Sequence, residues 1–300
     1  MAIGDVRAVP DCTDLHYVDT GMYDTAGYGA VYAIDAERPA LVESGIGADR
    51  ERVFGLLDRV GIAREELAAV VLTHVHLDHA GGAGFLAAEC PDADVYVHEL
   101  GAPHLVDPGR LVEGTKRAVG DQWEFYAEPR PLSAERIVEL ADGDAVDLGD
   151  RRLRARHAPG HAPHHLVFHD DRDDAVFTGD AAGIWIPARE DIHQTTPPRS
   201  FDLEACLADV ETLREIAPEH LLFTHFGPGP DDVEGVLAEY RETLREWVRA
   251  VEEVHAETDS EAETVEHFVE AADTDAIWGE TKARYETAVN VRGVLRYLSG

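Results

Sequence analysis

Short apolar runs closed by turn residues alternate with helical spacings over the first 230 or so positions of the chain. Tyr28–Ile34 (YGAVYAI) and Pro39–Gly45 (PALVESG) predict neighbouring strands, each closed by a turn signal. From Asp49 to Val60 the apolar residues Val53, Leu56, Leu57 and Val60 keep a helical spacing that stops at Gly61. Leu67–Thr73 (LAAVVLT) has the length and content of a buried strand, Ala80–Glu89 predicts a helix, and Ala93–His98 another strand. Residues 106–133 carry Trp123, Phe125 and Tyr126 among prolines and glycines without a clean period, and are expected to form a lid-like excursion. RIVEL (136–140), RLRARH (152–157), HLVFH (165–169) and AVFTGD (175–180) then predict four strands at hairpin spacing. An amphipathic helix over Phe201–Ile216 leads to a strand at His220–His225 (HLLFTH).

After GPGPDD the period changes. Val233, Val236, Leu237, Tyr240, Leu244, Trp247, Val248 and Val251 line one face of a long helix. Ser260 with Glu263 is a capping-box pattern opening a shorter helix, and Ile277–Leu298 supplies a third. The pattern therefore divides the chain into a mixed α/β body over 1–230 and a helical extension over 231–300, whose long apolar stripe suits core or homodimer packing.

Charge changes the picture more than apolar content does. Sixty Asp and Glu against 26 Lys and Arg leave a formal net charge of −34, and only Lys116 and Lys282 are lysines. Acidic residues interleaved with well-patterned apolar ones describe a folding, halophile-type sequence in which salt screens self-repulsion. Such a surface repels nucleic acid and anionic membrane, so neither is expected as a partner, and a small-molecule substrate is. Cys12, Cys90 and Cys206 are odd in number and lack C-x-x-C spacing, which indicates neither a disulfide framework nor a zinc ribbon. The opening MAIGDVRAVPD lacks a signal-peptide layout and no apolar run reaches membrane-spanning length, so a cytoplasmic location is expected.

The chemistry concentrates in Thr73–Gly82, THVHLDHAGG. His74 and His76 are two apart, which on an extended segment puts both on one side. Asp78 and His79 are adjacent and imply a turn into a helix, so one pair on each side of that turn suits two metal ions. Gly81 and Gly82 let the backbone pass close by. Further ligand candidates stand at strand ends beside glycine: His161 in HAPGHAPHH, Asp180 in FTGD and His225 in FTHFG.

On these residues the chain resembles the metallo-β-lactamase-fold hydrolases, whose T-H-x-H-x-D-H-x-G-G motif is matched from Thr73 to Gly82 and followed in order by the later His, Gly-Asp and His. The resemblance implies a four-layer αββα sandwich of two mixed sheets with the site along one edge. It implies His74, His76 and His161 on one metal, Asp78, His79 and His225 on a second, and Asp180 bridging. Zinc suits that donor set, as do iron and manganese. It further implies a hydrolase that generates hydroxide between two divalent ions for attack on a small ester, thioester or lactone, with Asp78 or Asp180 receiving or orienting the proton.

Two departures separate the branches of the family. Asp180 stands where antibiotic-hydrolysing members commonly carry Cys, and Glu43 stands where members usually have the Asp of an Asp-x-Gly. The glyoxalase II branch shares the motif and a helical C-terminal part, but no basic cluster here suits glutathione. The acyl-homoserine-lactone lactonases share the ligand order. Two alternatives are a mononuclear iron persulfide dioxygenase on the same fold, which the full second ligand set disfavours, and a nuclease, which the charge disfavours.

Around the ligands, His157 and His169 read as ordinary strand or loop residues, and His164 and His165 fit either a pocket or a loop. Trp185 and Phe226 read as core, and Trp123 and Tyr126 as packing residues of the excursion. The acidic surface predicts that raising salt from about 0.1 to about 1 M, which shortens the Debye length from about 10 to about 3 Å, raises the thermal unfolding midpoint. A midpoint that falls with salt in a calorimetric scan rejects the halophilic reading.

Overall fold

The computed structural model describes residues 2–198 and 200–300, apart from the Asp275 side chain. The first sheet has seven strands adjacent in chain order. They are β1 (Val6–Ala8), β2 (Leu15–Asp19), β3 (Ala30–Ile34), β4 (Ala40–Val42), β5 (Ala69–Val71), β6 (Asp94–His98) and β7 (Ile137–Leu140). β1 to β4 pair antiparallel, whereas β4 to β7 pair parallel. Parallel neighbours need crossovers. These are α1 (Arg50–Val60), then α2 (Leu77–Ala80) with α3 (Ala83–Glu89), then α4 (Ala102–Val106) with α5 (Gly109–Val119).

The second sheet runs β14 (His220–Phe223), β11 (Ala175–Gly179), β10 (Leu166–Asp170), β9 (Arg152–His157), β8 (Ala145–Asp147). Only the β11–β14 pair is parallel. Its crossover holds a hairpin, β12 (Ile184–Ile186) and β13 (Asp191–His193), and α6 (Leu203–Ile216). Three helices follow: α7 (Val233–Thr258), α8 (Glu261–Ala271) and α9 (Asp275–Leu298), the last broken at Gly279.

Period-two alternation sorts side chains between layers. Tyr32, Ile34, Val42 and Val71 of the first sheet meet Leu153, Phe168, Phe177 and Leu222 of the second in one buried core. Their strand neighbours Val31, Ala33, Leu41 and Val70 face the other way, onto Phe54 and Leu57 of α1 and Leu86 of α3. On the far side Val167, Val176, Leu221 and Phe223 pack with Val210 of α6, Leu244 of α7 and Val291 of α9. The result is the expected αββα sandwich of two mixed sheets, its second sheet covered by the C-terminal helices. Among the described residues no helix is long and apolar enough to cross a membrane.

Three local expectations are corrected. RIVEL does not join a hairpin series: β7 adds to the first sheet parallel to β6, and the chain then crosses to the second sheet through β8, a strand too short to register in the pattern. The helix expected over Ala80–Glu89 is two pieces divided at Gly81–Gly82. Residues 106–133 contain a regular helix, α5, and a 3-10 turn at Gly120–Phe125. β1 and the β12–β13 hairpin were not apparent, since three-residue strands carry too little alternation to be read, and the five-residue β2 was not apparent either. Phe168 is fully buried between the sheets, so Phe168→Ala is expected to lower unfolding free energy by about 3–5 kcal/mol in a denaturant titration.

Candidate metal centre

Three parallel-strand ends and one loop deliver the site. After β5 the chain stays extended through His74 and His76, then turns into α2 with Asp78 and His79 in its first turn. That turn is docked on the end of β4, because the His79 carbonyl accepts from the Ser44 N–H at 2.9 Å and its hydroxyl at 2.7 Å. Gly82 permits the approach, since a Cβ there would lie 2.1 Å from the Ser44 carbonyl oxygen. Asp180 follows β11, His225 follows β14, and His161 comes from the loop between β9 and β10.

All seven candidate ligands converge. His76 Nδ1 lies 3.0 Å from both His74 Nε2 and His161 Nε2. Asp180 Oδ2 is 3.2 Å from His161 Nε2, and Asp180 Oδ1 is 3.5 Å from the Nε2 atoms of His79 and His225. Asp78 Oδ2 is 3.8 Å from His79 Nε2 and 4.0 Å from His225 Nε2. The donor atoms thus form the groups His74–His76–His161, Asp78–His79–His225 and His74–His79–Asp180, each within a 4.8 Å span. Tetrahedral zinc with Zn–N of about 2.0–2.1 Å sets its ligand atoms roughly 3.3 Å apart, close to these spacings. His79 Nε2 and Asp180 Oδ1 are buried without hydrogen-bond partners. Polar atoms left so in an interior ask for a cation, and the donor set fits one. His74, His79, His161, Asp180 and His225 are buried, whereas the Asp78 side chain is 25% exposed and marks the opening.

The protonation pattern follows from this crowding. Burial and the neighbouring imidazoles hold His74 well below its ordinary pKa and lower His76 to about 3. Burial lowers His161 as well, against the pull of Asp180. Burial also opposes charge on His79, but Asp180, Glu43 and Asp78 overcome it and raise that imidazole well above its ordinary value. For Asp180 burial acts upward, and His161 and His79 outweigh it and hold the carboxyl well down.

A supporting ring holds the ligands. Glu43 is buried in a left-handed conformation (φ 69°), and its Oε1 accepts from His79 Nδ1 at 3.0 Å and from the Thr73 and Thr224 hydroxyls. The longer carboxylate is therefore fully used. His225 donates through Nδ1 to the Tyr28 carbonyl at 3.0 Å and stacks on the Tyr28 ring at 4.6 Å. Thr195 Oγ1 lies 3.2 Å from His161 Nδ1 and 3.5 Å from Asp180 Oδ2. Thr195 was invisible in the sequence, as TTPP offers neither period nor motif. His165 is resolved as a supporting residue, its Nε2 accepting the Asp180 N–H at 3.1 Å. His164 flanks the rings of His74 and His76. His157 stacks on His98 and His169 pairs with Asp174, both outside the ligand groups.

The excursion and the last helix meet beside α2. Leu77, Val112, Tyr126, Ile184 and Trp278 share one buried cluster with Tyr23 and Tyr28. The hydroxyls of Tyr23 and Tyr126 hydrogen-bond, Trp123 stacks on Tyr126 at 5.2 Å, and Lys282 Nζ sits 4.2 Å from the Tyr23 ring centre. Phe226 packs on this cluster, and Trp185 lies in the core beneath the C-terminal helices.

Comparison with known proteins agrees with the geometry. The family model for the metallo-beta-lactamase superfamily matches residues 24–225, a span that contains every candidate ligand. The chain belongs to this superfamily. A metallo-beta-lactamase fold-containing protein of Sulfurisphaera tokodaii is 28% identical over 221 residues, 72% of this chain and 79% of that protein. Its crystal structure, described from Sulfolobus tokodaii, matches with a TM-score of 0.71 at 25% identity over 95% of this chain and 99% of that one. An acyl-coenzyme A thioesterase of Gallus gallus is 26% identical over 180 residues, 55% of this chain and 62% of the thioesterase. An N-acyl homoserine lactonase of a Bacillus species is 24% identical over 230 residues, 74% of this chain and 80% of the lactonase.

Superfamily geometry with this charge pattern has a calorimetric consequence. A raised His79 is protonated at neutral pH in the metal-free protein, whereas His74, His76 and His161 are already neutral. Filling the site with zinc at pH 7 is therefore expected to release the His79 proton together with one from an acidified zinc-bound water, about one to two protons per chain. Titration in two buffers of different ionisation enthalpy measures it, and a release near zero or near four rejects the assignment.

Proposed function

We propose that this metal-dependent hydrolase cleaves a small ester, thioester or lactone at a centre of two divalent ions, zinc first among them. His74, His76 and His161 would hold one ion, Asp78, His79 and His225 the other, with Asp180 placed between the two groups. The observation that carries this reading is the convergence of two complete triads on one buried carboxylate. Bound there, the ions supply an acidified water and polarise an acyl carbonyl.

The chain's own groups do the rest. Asp180, kept ionised by its imidazole neighbours, balances charge at the buried end. Asp78 stands at the opening, and burial acting upward is outweighed by His79 and His225, so that it stays ionised and able to receive or orient a proton. Glu43, Thr195 and the Tyr28 carbonyl fix which imidazole nitrogen faces inward, as outer partners of metal ligands do. The names of the thioesterase and lactonase relatives support an acyl substrate class.

Metal analysis by mass spectrometry on protein purified in high salt without chelators is expected to return about two ions per chain. Hydrolysis of a panel of thioesters, esters and lactones is expected to follow, and Asp180→Ala to cost more than the roughly 10–100-fold typical of outer partners. Asp180→Ala with full metal load and full activity rejects the bridging role. One iron per chain with an empty second site favours oxygen-dependent persulfide chemistry instead.

A further inference from the structure

Unlike Asp180 and His225, the candidate ligand His161 comes from a loop rather than a strand end. The loop over 158–165 is tied to the rest of the body one residue earlier, at Gly160. The Gly160 N–H donates to Asp209 Oδ2 at 2.7 Å, and the Gly160 carbonyl accepts from the Asp202 N–H at 3.0 Å. Both partners belong to α6 or its cap, and Asp202 itself caps α6 by accepting the Ala205 N–H. The contact is backbone on backbone. A Cβ on Gly160 would lie 2.2 Å from the Cys206 nitrogen and 2.5 Å from its Cα.

Asp209 is costly where it stands. It occupies a core-facing position of α6 between Cys206 and Val210 and is 3% exposed. Burial pushes its carboxyl up to about 7, with only the Gly160 amide acting the other way and Asp202 adding to the rise. A buried carboxyl facing no cation is normally replaced by an apolar residue unless its hydrogen bond matters.

We propose that Asp209 is a positioning residue for the metal centre, holding the Gly160 amide so that the His161 imidazole meets His76 and Asp180. Metal affinity responds to ligand displacements of a few tenths of an ångström, and the Gly160 anchor is one peptide unit from the ligand. The carboxyl oxygen accepts the amide whether or not the group is protonated, so an Asn carbonyl can do the same.

The inference rests on reading His161 as a ligand, and zinc binding by chelator competition tests the two separately. Asp209→Leu is expected to weaken the affected site roughly 10–100-fold, while Asp209→Asn stays close to the unsubstituted protein. In a His161→Ala background, Asp209→Leu is expected to change zinc affinity no further. An equal loss in that background, or no loss in the single variant, overturns the role. Unsubstituted protein that binds no zinc defeats the metal reading itself. If Asp209→Leu does not fold, Asp209→Ala is read in its place, and failure of both to fold makes the residue structural only.

Discussion

Asp180 is buried among the imidazoles of His79, His161 and His225, and its ionised form is tolerable there only while positive charge faces it. The requirement organises the site. The imidazoles that face Asp180 must themselves be held, so each has a partner on its other nitrogen: Glu43 for His79, Thr195 for His161 and the Tyr28 carbonyl for His225. Those partners come from just after β4, from the segment after β13 and from just before β3, so elements far apart in the chain are tied together through one carboxylate.

The sandwich makes such a centre possible because β5, β11 and β14 end together. β5 is parallel to β4 and β6, and β11 is parallel to β14, so their C-terminal ends reach the same edge of the fold. Rigid strands place His74, Asp180 and His225, while the short helix α2 leaves Asp78 at the opening, the arrangement a site needs if it is to be both accurate and accessible. His161 lacks a strand end of its own, and the loop that carries it meets α6 and its cap at Gly160.

Around this centre the chain adds elements that close it. α5 and the 3-10 turn after it pack Val112 and Tyr126 against Leu77, on the short helix that carries Asp78 and His79. The first turns of α9 bring Trp278 and Lys282 to the same cluster, with the Lys282 ammonium over the rings of Tyr23 and Tyr28. Most acidic side chains lie outside these contacts, so one of only two lysines in the chain is spent where an aromatic surface and Glu286 receive its charge.

Local pattern carried a large part of this. The seven candidate ligands were legible because metal chemistry restricts residue type and spacing within THVHLDH, and because Asp180 and His225 follow apolar strands while His161 stands beside Gly160. β3, β6, β10 and β11 were legible as short apolar runs buried on both faces, and α6 and α7 because burial on one face imposes a period of 3.6. By contrast, the sheet to which RIVEL belongs, the hairpin after Asp180 and the helix within the excursion were decided by tertiary pairing, since three- or four-residue strands and a helix with only Val112 fully buried leave little periodicity. The roles of Thr195, Tyr28 and Asp209 were likewise set only in three dimensions, because a hydroxyl, a backbone carbonyl or a lone carboxyl acquires its meaning from the atom it faces, and that atom lies 34 to 197 residues away. Sequence by itself determined which donors the chain possesses and on which elements they ride. Which groups hold those donors in place depended on contacts between distant segments, for which no local spacing is a signal.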